Sequence, residues 1–281
     1  MSGRPGRRAL LASALGAPLL AAGCSSSPDA GDASPGAPAA ERIPYGPHPA
    51  QFVELTRPVG DSRGVVVVLH GGFWLAEYDV SLARPLAADL VRRGWTALAV
   101  EYRRVGDGGG VPATLDDVSA ALDLLADRGL GDRRVVTLGH SAGGQLAVWA
   151  AARTRLDRWR AARVVPTHVV SQAGVLDLRT ADAEDLGGGA VPGFLGGSPQ
   201  ERPDAWAWAD PTALVPLDVP VWCVHGADDG TVPIAQSQAY VAAARAAGGE
   251  ATLVEVPGDH LDQVDVGSDA WARTVEVLDA L

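Results

Sequence analysis

Lysine is absent from the 281 residues, so all 23 strongly basic side chains are arginine, set against 34 acidic ones. A formal charge of −11 argues against the positive face that nucleic acid or an anionic lipid surface would require. Cysteine occurs only at Cys24 and Cys223, too few for a disulfide framework and without the Cys/His spacing of a zinc site. No EF-hand-like loop occurs either, so neither metal nor other cofactor is expected. No apolar run reaches the roughly 18 residues that a membrane-spanning helix needs, and no internal repeat is present.

The first 23 residues lack any acid. Arg4, Arg7 and Arg8 precede an apolar stretch, Leu10 to Ala22, of the length of an export signal core. Leu20-Ala21-Ala22-Gly23-Cys24 resembles the lipobox of bacterial lipoproteins, with Ala21 where leucine is more usual. That resemblance implies cleavage before Cys24 and lipidation of Cys24. Arg7-Arg8 also resembles a twin-arginine signal, and a plain secretory peptide is the alternative. The expectation is an exported protein, held outside a bacterial cytoplasm by its N-terminal lipid alone. Removal of residues 1–23 leaves 258 residues (281 − 23) and a charge of −14 (three arginines fewer).

Residues 24–50, rich in Ser, Ala, Gly, Pro and Asp, read as a flexible tether. Cys223, in Val221-Trp222-Cys223-Val224, reads as a buried small hydrophobe. From Gln51 to Leu281 strands and helices alternate in one domain. Strands are expected near residues 51–56, 64–70, 95–102, 134–138, 167–171, 219–225 and 251–256. Helices are expected near residues 82–93, 115–128, 142–153, 234–247 and 268–281, the second starting at a Thr114 N-cap. Such alternation predicts an α/β fold, a mostly parallel twisted sheet with helices on both faces. Catalytic groups then gather at the carboxyl ends of the strands. The stretch from about 177 to 219, with Gly187 to Gly189, several prolines, Trp206 and Trp208, breaks the pattern. It reads as a small cap segment or as a surface excursion.

Gly139-His140-Ser141-Ala142-Gly143 follows the β-branched run Val135-Val136-Thr137-Leu138 and opens a run of good helix formers. In that context Gly-x-Ser-x-Gly is a nucleophile elbow, with glycines where strand and helix backbones nearly touch. A serine hydroxyl needs a base, and the base a carboxylate to orient it. Among six histidines His260 is best placed, in a loop after the last expected strand. The acid belongs after the strand ending at His225, where Asp228 and Asp229 compete; Asp177 is a third candidate. Oxyanion donors are expected from the N–H groups of Ala142, at a helix N-terminus, and of Gly72 and Phe73, in His70-Gly71-Gly72-Phe73-Trp74. His70 is read as a brace for that loop. Trp74, Trp206 and Trp208, with Phe73, either line a substrate pocket or fill the core.

These motifs, with Glu101-Tyr102-Arg103, resemble the α/β-hydrolase superfamily from about Gly64 to the C-terminus. The branch is the esterase/lipase type, most similar to kynurenine formamidase-like enzymes and carboxylesterases. The resemblance implies that Asp229, at the acid position of His-Gly-x-x-Asp-x-x-Val-Pro, orients His260. It implies a serine hydrolase of small-molecule esters, with aryl formamides or other amides as further substrates. A prolyl-oligopeptidase-like peptidase and a catalytically silent binding lipoprotein are the alternatives.

Overall fold

The computed structural model describes residues 38–281. The expected export signal, Cys24 and most of the expected tether lie outside the described residues. The sheet has eight strands: β1 Glu41–Pro44, β2 Phe52–Thr56, β3 Val65–Leu69, β4 Thr96–Val100, β5 Val135–His140, β6 His168–Gln172, β7 Val221–Gly226 and β8 Ala251–Val256. Their spatial order is β1-β2-β4-β3-β5-β6-β7-β8. Both pairings made by β2 are antiparallel, and β4 through β8 run parallel.

β3 shows why the centre of the sheet forms. Its sequence Val-Val-Val-Val-Leu is buried at every position, which suits a parallel strand covered on both sides. Val65, Val67 and Leu69 join one core, shared with helices α2 (Ala113–Asp127), α3 (Ala142–Ala152) and α7 (Ala235–Ala246). Val66 and Val68 join the other, under α1 (Arg84–Arg92) and α8 (Asp269–Asp279). The two-residue period of the strand thus sorts its side chains between two helical layers. Helix α3, behind the serine, is buried at nearly every position, as a helix apolar all round must be.

Two local expectations change. Strand β1 lies inside the stretch read as tether: Ile43 is buried and Glu41 to Pro44 pair with β2. One buried side chain in a four-residue edge strand leaves no periodicity to read. Helix α2 begins at Ala113, so Thr114 is inside its first turn. The Thr114 hydroxyl donates to the Arg103 carbonyl (2.6 Å) and accepts from Gly110 N–H (3.0 Å), pinning the preceding loop instead of capping the helix.

Residues 177–219 carry three short helices, α4 (Leu178–Ala183), α5 (Ala190–Leu195) and α6 (Pro203–Ala209). Asp177 caps α4 through the Thr180 N–H, so it is spoken for as a helix cap. Gln145 of α3 donates to the Ala209 carbonyl, and Phe194 stacks on Trp74, which docks this segment against the body of the domain.

Candidate active site

Ser141 sits between β5 and α3 with φ 56° and ψ −120°, a conformation that a residue with a side chain holds only at a cost of about 1–3 kcal/mol. Its backbone is fixed on both sides: its N–H donates to the Gln172 carbonyl (2.8 Å), and its carbonyl accepts from Gly144 (2.9 Å). The flanking glycines are steric necessities. A Cβ at position 139 would lie 2.0 Å from the Gly143 carbonyl oxygen, and one at position 143 would lie 2.1 Å from the Leu69 carbonyl oxygen. Register puts Leu69 beside Gly139, so β3, β5 and α3 converge directly behind the serine.

The strands on the other side bring in the remaining pair. Asp229 follows β7 and His260 follows β8, and His260 Nδ1–H donates to Asp229 Oδ2 at 2.7 Å. The other carboxylate oxygen, Oδ1, accepts from the Thr231 and Val232 N–H groups at 2.9 and 2.8 Å. Burial alone would raise the Asp229 pKa. The hydrogen bonds from His225, His260 and the Val232 N–H overrule it and hold the carboxyl well below the usual carboxylate range. Asp228 is exposed and its neighbour buried, so of the two adjacent acids only Asp229 faces inward. His225 is occupied structurally: its Nε2–H is shared between the Val232 carbonyl (2.8 Å) and Asp229 Oδ2 (3.4 Å), and its Nδ1 bonds to Ser237.

With its Nδ1 edge on Asp229, His260 shares a cavity of about 250 Å³ with Ser141. The Ser141 hydroxyl makes no hydrogen bond to a described residue, and such contacts commonly tighten only when substrate is bound. His140 does not compete as base. Its Nε2–H donates to the His260 carbonyl at 2.9 Å, and burial pushes its pKa down to about 3, aided by the neighbouring His260. The ring beside the nucleophile therefore stays neutral and ties the elbow to the His260 loop.

Opposite, the loop after β3 turns through three consecutive left-handed residues, Gly72 (φ 109°), Phe73 (φ 49°) and Trp74 (φ 58°). Position 72 has to be glycine for a second reason, since a Cβ there would lie 2.3 Å from the Tyr78 ring. Among the described residues the N–H groups of Gly72, Phe73 and Ala142 have no acceptor, which leaves them available to an oxyanion. His70 braces this loop: Nδ1 donates to the Gly71 carbonyl (2.8 Å), Nε2 faces Glu101 (3.3 Å), and the ring stacks on Tyr102 at 4.3 Å. Glu101 also accepts from the Val80 N–H (2.8 Å), the Tyr102 N–H (3.0 Å) and Arg104. Burial would raise its pKa, but His70, the Val80 N–H and Arg104 together hold it low. One buried carboxylate thus anchors both the oxyanion loop and the segment that follows it.

The tryptophans are not where a pocket reading puts them. Trp74 is fully buried, stacked on Phe194 and donating to Gln145; Trp206 is equally buried and donates to the Gly197 carbonyl. Trp208 packs edge-on against Trp159. Trp74 and Trp206 are core, Trp208 is half-buried and packs against it, and none of the three lines the cavity beside Ser141. None of that cavity's lining comes from residues 177–219, whose approach to the site is Gly187 packed against the Phe73 ring. The segment therefore buttresses the oxyanion loop from outside. Phe73 alone of the expected aromatics lines the cavity, and the further walls are Tyr78, Leu82, Ala83 and Leu86 on one side and Thr231, Leu261 and Val264 on the other. Leu261, an apolar side chain between Asp259-His260 and Asp262, was the available signal for them. Cys223 is buried without a disulfide partner, and burial pushes its thiol up to about 12. Among the described residues no cluster of His, Cys, Asp and Glu has the makings of a metal site.

Comparison with known proteins agrees with this architecture. Over 238 residues the chain is 29% identical to esterase LipQ of Mycobacterium tuberculosis, covering 78% of this chain and 56% of the relative, so it spans little more than half of that protein's length. Esterase B of Lactobacillus rhamnosis, solved with a tributyrin phosphonate inhibitor, superposes with a TM-score of 0.75 at 21% identity, covering 89% of this chain and 87% of that one. The thermophilic esterase Est2 of Thermogutta terrifontis gives 0.69 at 23% identity, over 88% and 92% of the two chains. The sequence model of the BD-FAE family matches residues 55–243. With the fold and the elbow geometry in agreement, the chain belongs to the BD-FAE family, of the α/β-hydrolase esterase type.

Proposed function

We propose that this protein is a serine hydrolase that cleaves carboxylic esters through an acyl-enzyme. The observation that carries the reading is the 2.7 Å bond from His260 Nδ1 to a buried, ionised Asp229, with Ser141 on the same cavity. That bond puts the imidazole in the tautomer whose Nε2 is a free base. His260 takes the proton of the Ser141 hydroxyl as Oγ attacks the ester carbonyl carbon. The carbonyl oxygen gains negative charge and is met by the Gly72, Phe73 and Ala142 N–H groups, the last backed by the α3 dipole. Collapse breaks the carbon–oxygen bond of the leaving alcohol, which receives the proton from His260. Water, activated by the same base, then releases the acid and restores Ser141.

Esters are favoured over amides by the kinship with proteins described as esterases; aryl formamides stay within reach of the same machinery. The test is labelling with a fluorophosphonate, expected at Ser141 and absent from Ser141→Ala, followed by turnover of p-nitrophenyl esters, aryl formamides and aminoacyl anilides. Unlabelled, folded wild type would point to a silent binding protein, and preferred cleavage of anilides to a peptidase. We also propose that Cys24 is lipidated and anchors the exported protein, on the basis of residues 4–24; a Cys24→Ala variant is then expected to leave the detergent phase.

A further inference from the structure

Six large apolar side chains stand exposed among the described residues: Val59, Tyr78, Leu82, Val165, Leu261 and Val266. Three of these, Tyr78 (43% exposed), Leu82 (41%) and Leu261 (67%), line the cavity that holds Ser141 and His260. Isolated exposed apolar residues are ordinary, whereas a gathering of them marks a surface that meets something apolar. Two separate stretches of chain contribute: the turn ahead of α1 supplies Tyr78 and Leu82, and the loop after β8 supplies Leu261. Inside this rim the wall continues through the buried Ala83 and Leu86 and the half-buried Val264. No carboxylate, arginine or amide side chain lines the cavity, so a charge carried inside would be left unpaired.

The volume sets a length. A cavity of roughly 150 Å³ holds benzene, six heavy atoms, so one of about 250 Å³ has room for about ten. Three of them belong to the ester group itself, leaving space for roughly seven carbons before an arm must emerge past the rim formed by Leu82 and Leu261. We propose that this site, on the reading that it hydrolyses esters, takes neutral esters bearing an aliphatic arm of roughly six to ten carbons. The inner carbons lie against Leu86 and Val264 and the outer ones against the exposed rim.

The arm can belong to the acid or to the alcohol, and two substrate series separate these. With full-length protein, kcat/KM is measured for p-nitrophenyl acetate, butyrate, hexanoate and octanoate, and for butyl, hexyl and octyl acetates. In at least one series each added methylene is expected to raise kcat/KM by up to about fourfold, giving tenfold or more across the series. Leu82→Ser with Leu261→Ser, at exposed positions that leave both cores intact, is expected to cut the longest-to-shortest ratio at least fivefold. A p-nitrophenyl ester ending in a carboxylate is expected to fall well below its neutral counterpart of equal length. Flat profiles in both series, an unchanged ratio in the double variant, or equal turnover of the charged ester would each overturn the assignment. Those outcomes require turnover, so they stand apart from failure of the hydrolase reading, which shows as no turnover of any ester and no fluorophosphonate label.

Discussion

Replacing Asp229 by asparagine tests the chemistry with almost no change in shape. Oδ1 of Asp229 accepts two backbone N–H groups, from Thr231 and Val232. An asparagine must therefore keep its oxygen on that side and turn its NH₂ toward His260. Two donors cannot face each other, so His260 Nδ1 becomes the acceptor and the ring proton moves to Nε2. The base edge facing Ser141 is then occupied by a proton, and the countercharge for the imidazolium is gone. A swap of this kind in a Ser-His-Asp triad lowers kcat by about 10⁴, and the same loss is expected here. Steady-state turnover of a p-nitrophenyl ester measures it, with fluorophosphonate labelling slowed in parallel. Asp228→Asn, altering an exposed neighbour, is expected to stay within about twofold of wild type. Asp229→Asn retaining a tenth or more of wild-type kcat, or Asp228→Asn being the crippled one, would refute the reasoning.

Other perturbations address the support around the site. His140 has a folded pKa near 3 against about 6.5 unfolded, so between these values the unfolded chain binds a proton that the folded one refuses. Stability therefore falls as pH drops below about 6.5. Urea unfolding at pH 7 and pH 5 should show wild type losing about 2 kcal/mol more than His140→Gln, which keeps a donor for the His260 carbonyl. Glu101→Gln removes the charge shared by His70, Val80 and Arg104; a loss of about 3 kcal/mol, read by denaturant midpoint, is expected with a drop in kcat as the oxyanion loop loosens. Gly139→Ala drives a methyl into the Gly143 carbonyl, and the expected result is a chain that is insoluble or inactive, scored by soluble yield and labelling. A normal yield of labelled Gly139→Ala would mean that the elbow is less tight than described.

Legibility followed the range of the forces involved. The elbow was readable because its constraint is local: strand, helix and two missing side chains fall within five consecutive residues. β3 was readable because a strand buried on both faces is written as unbroken valine. The choice between Asp228 and Asp229 depends on which way a turn directs each side chain, and the residues alone left it open. The tryptophans stayed undecided between core and pocket because a large aromatic looks the same in a sequence whether it fills a core or walls a pocket. Trp74 sits one residue from an oxyanion donor and still points into the protein, toward Phe194 and Gln145. The walls of the cavity come from residues 78–86 and 261–264, segments brought together only by the completed sheet.

The bond between His140 and the carbonyl of His260 spans 120 residues, and the strand before His260 is an edge strand of the sheet and the last in sequence. Turnover therefore reports a completed sheet: the site is competent only when β8 is docked on β7 and delivers the imidazole. A truncation anywhere before that strand removes both the imidazole that would deprotonate Ser141 and the carbonyl that holds His140.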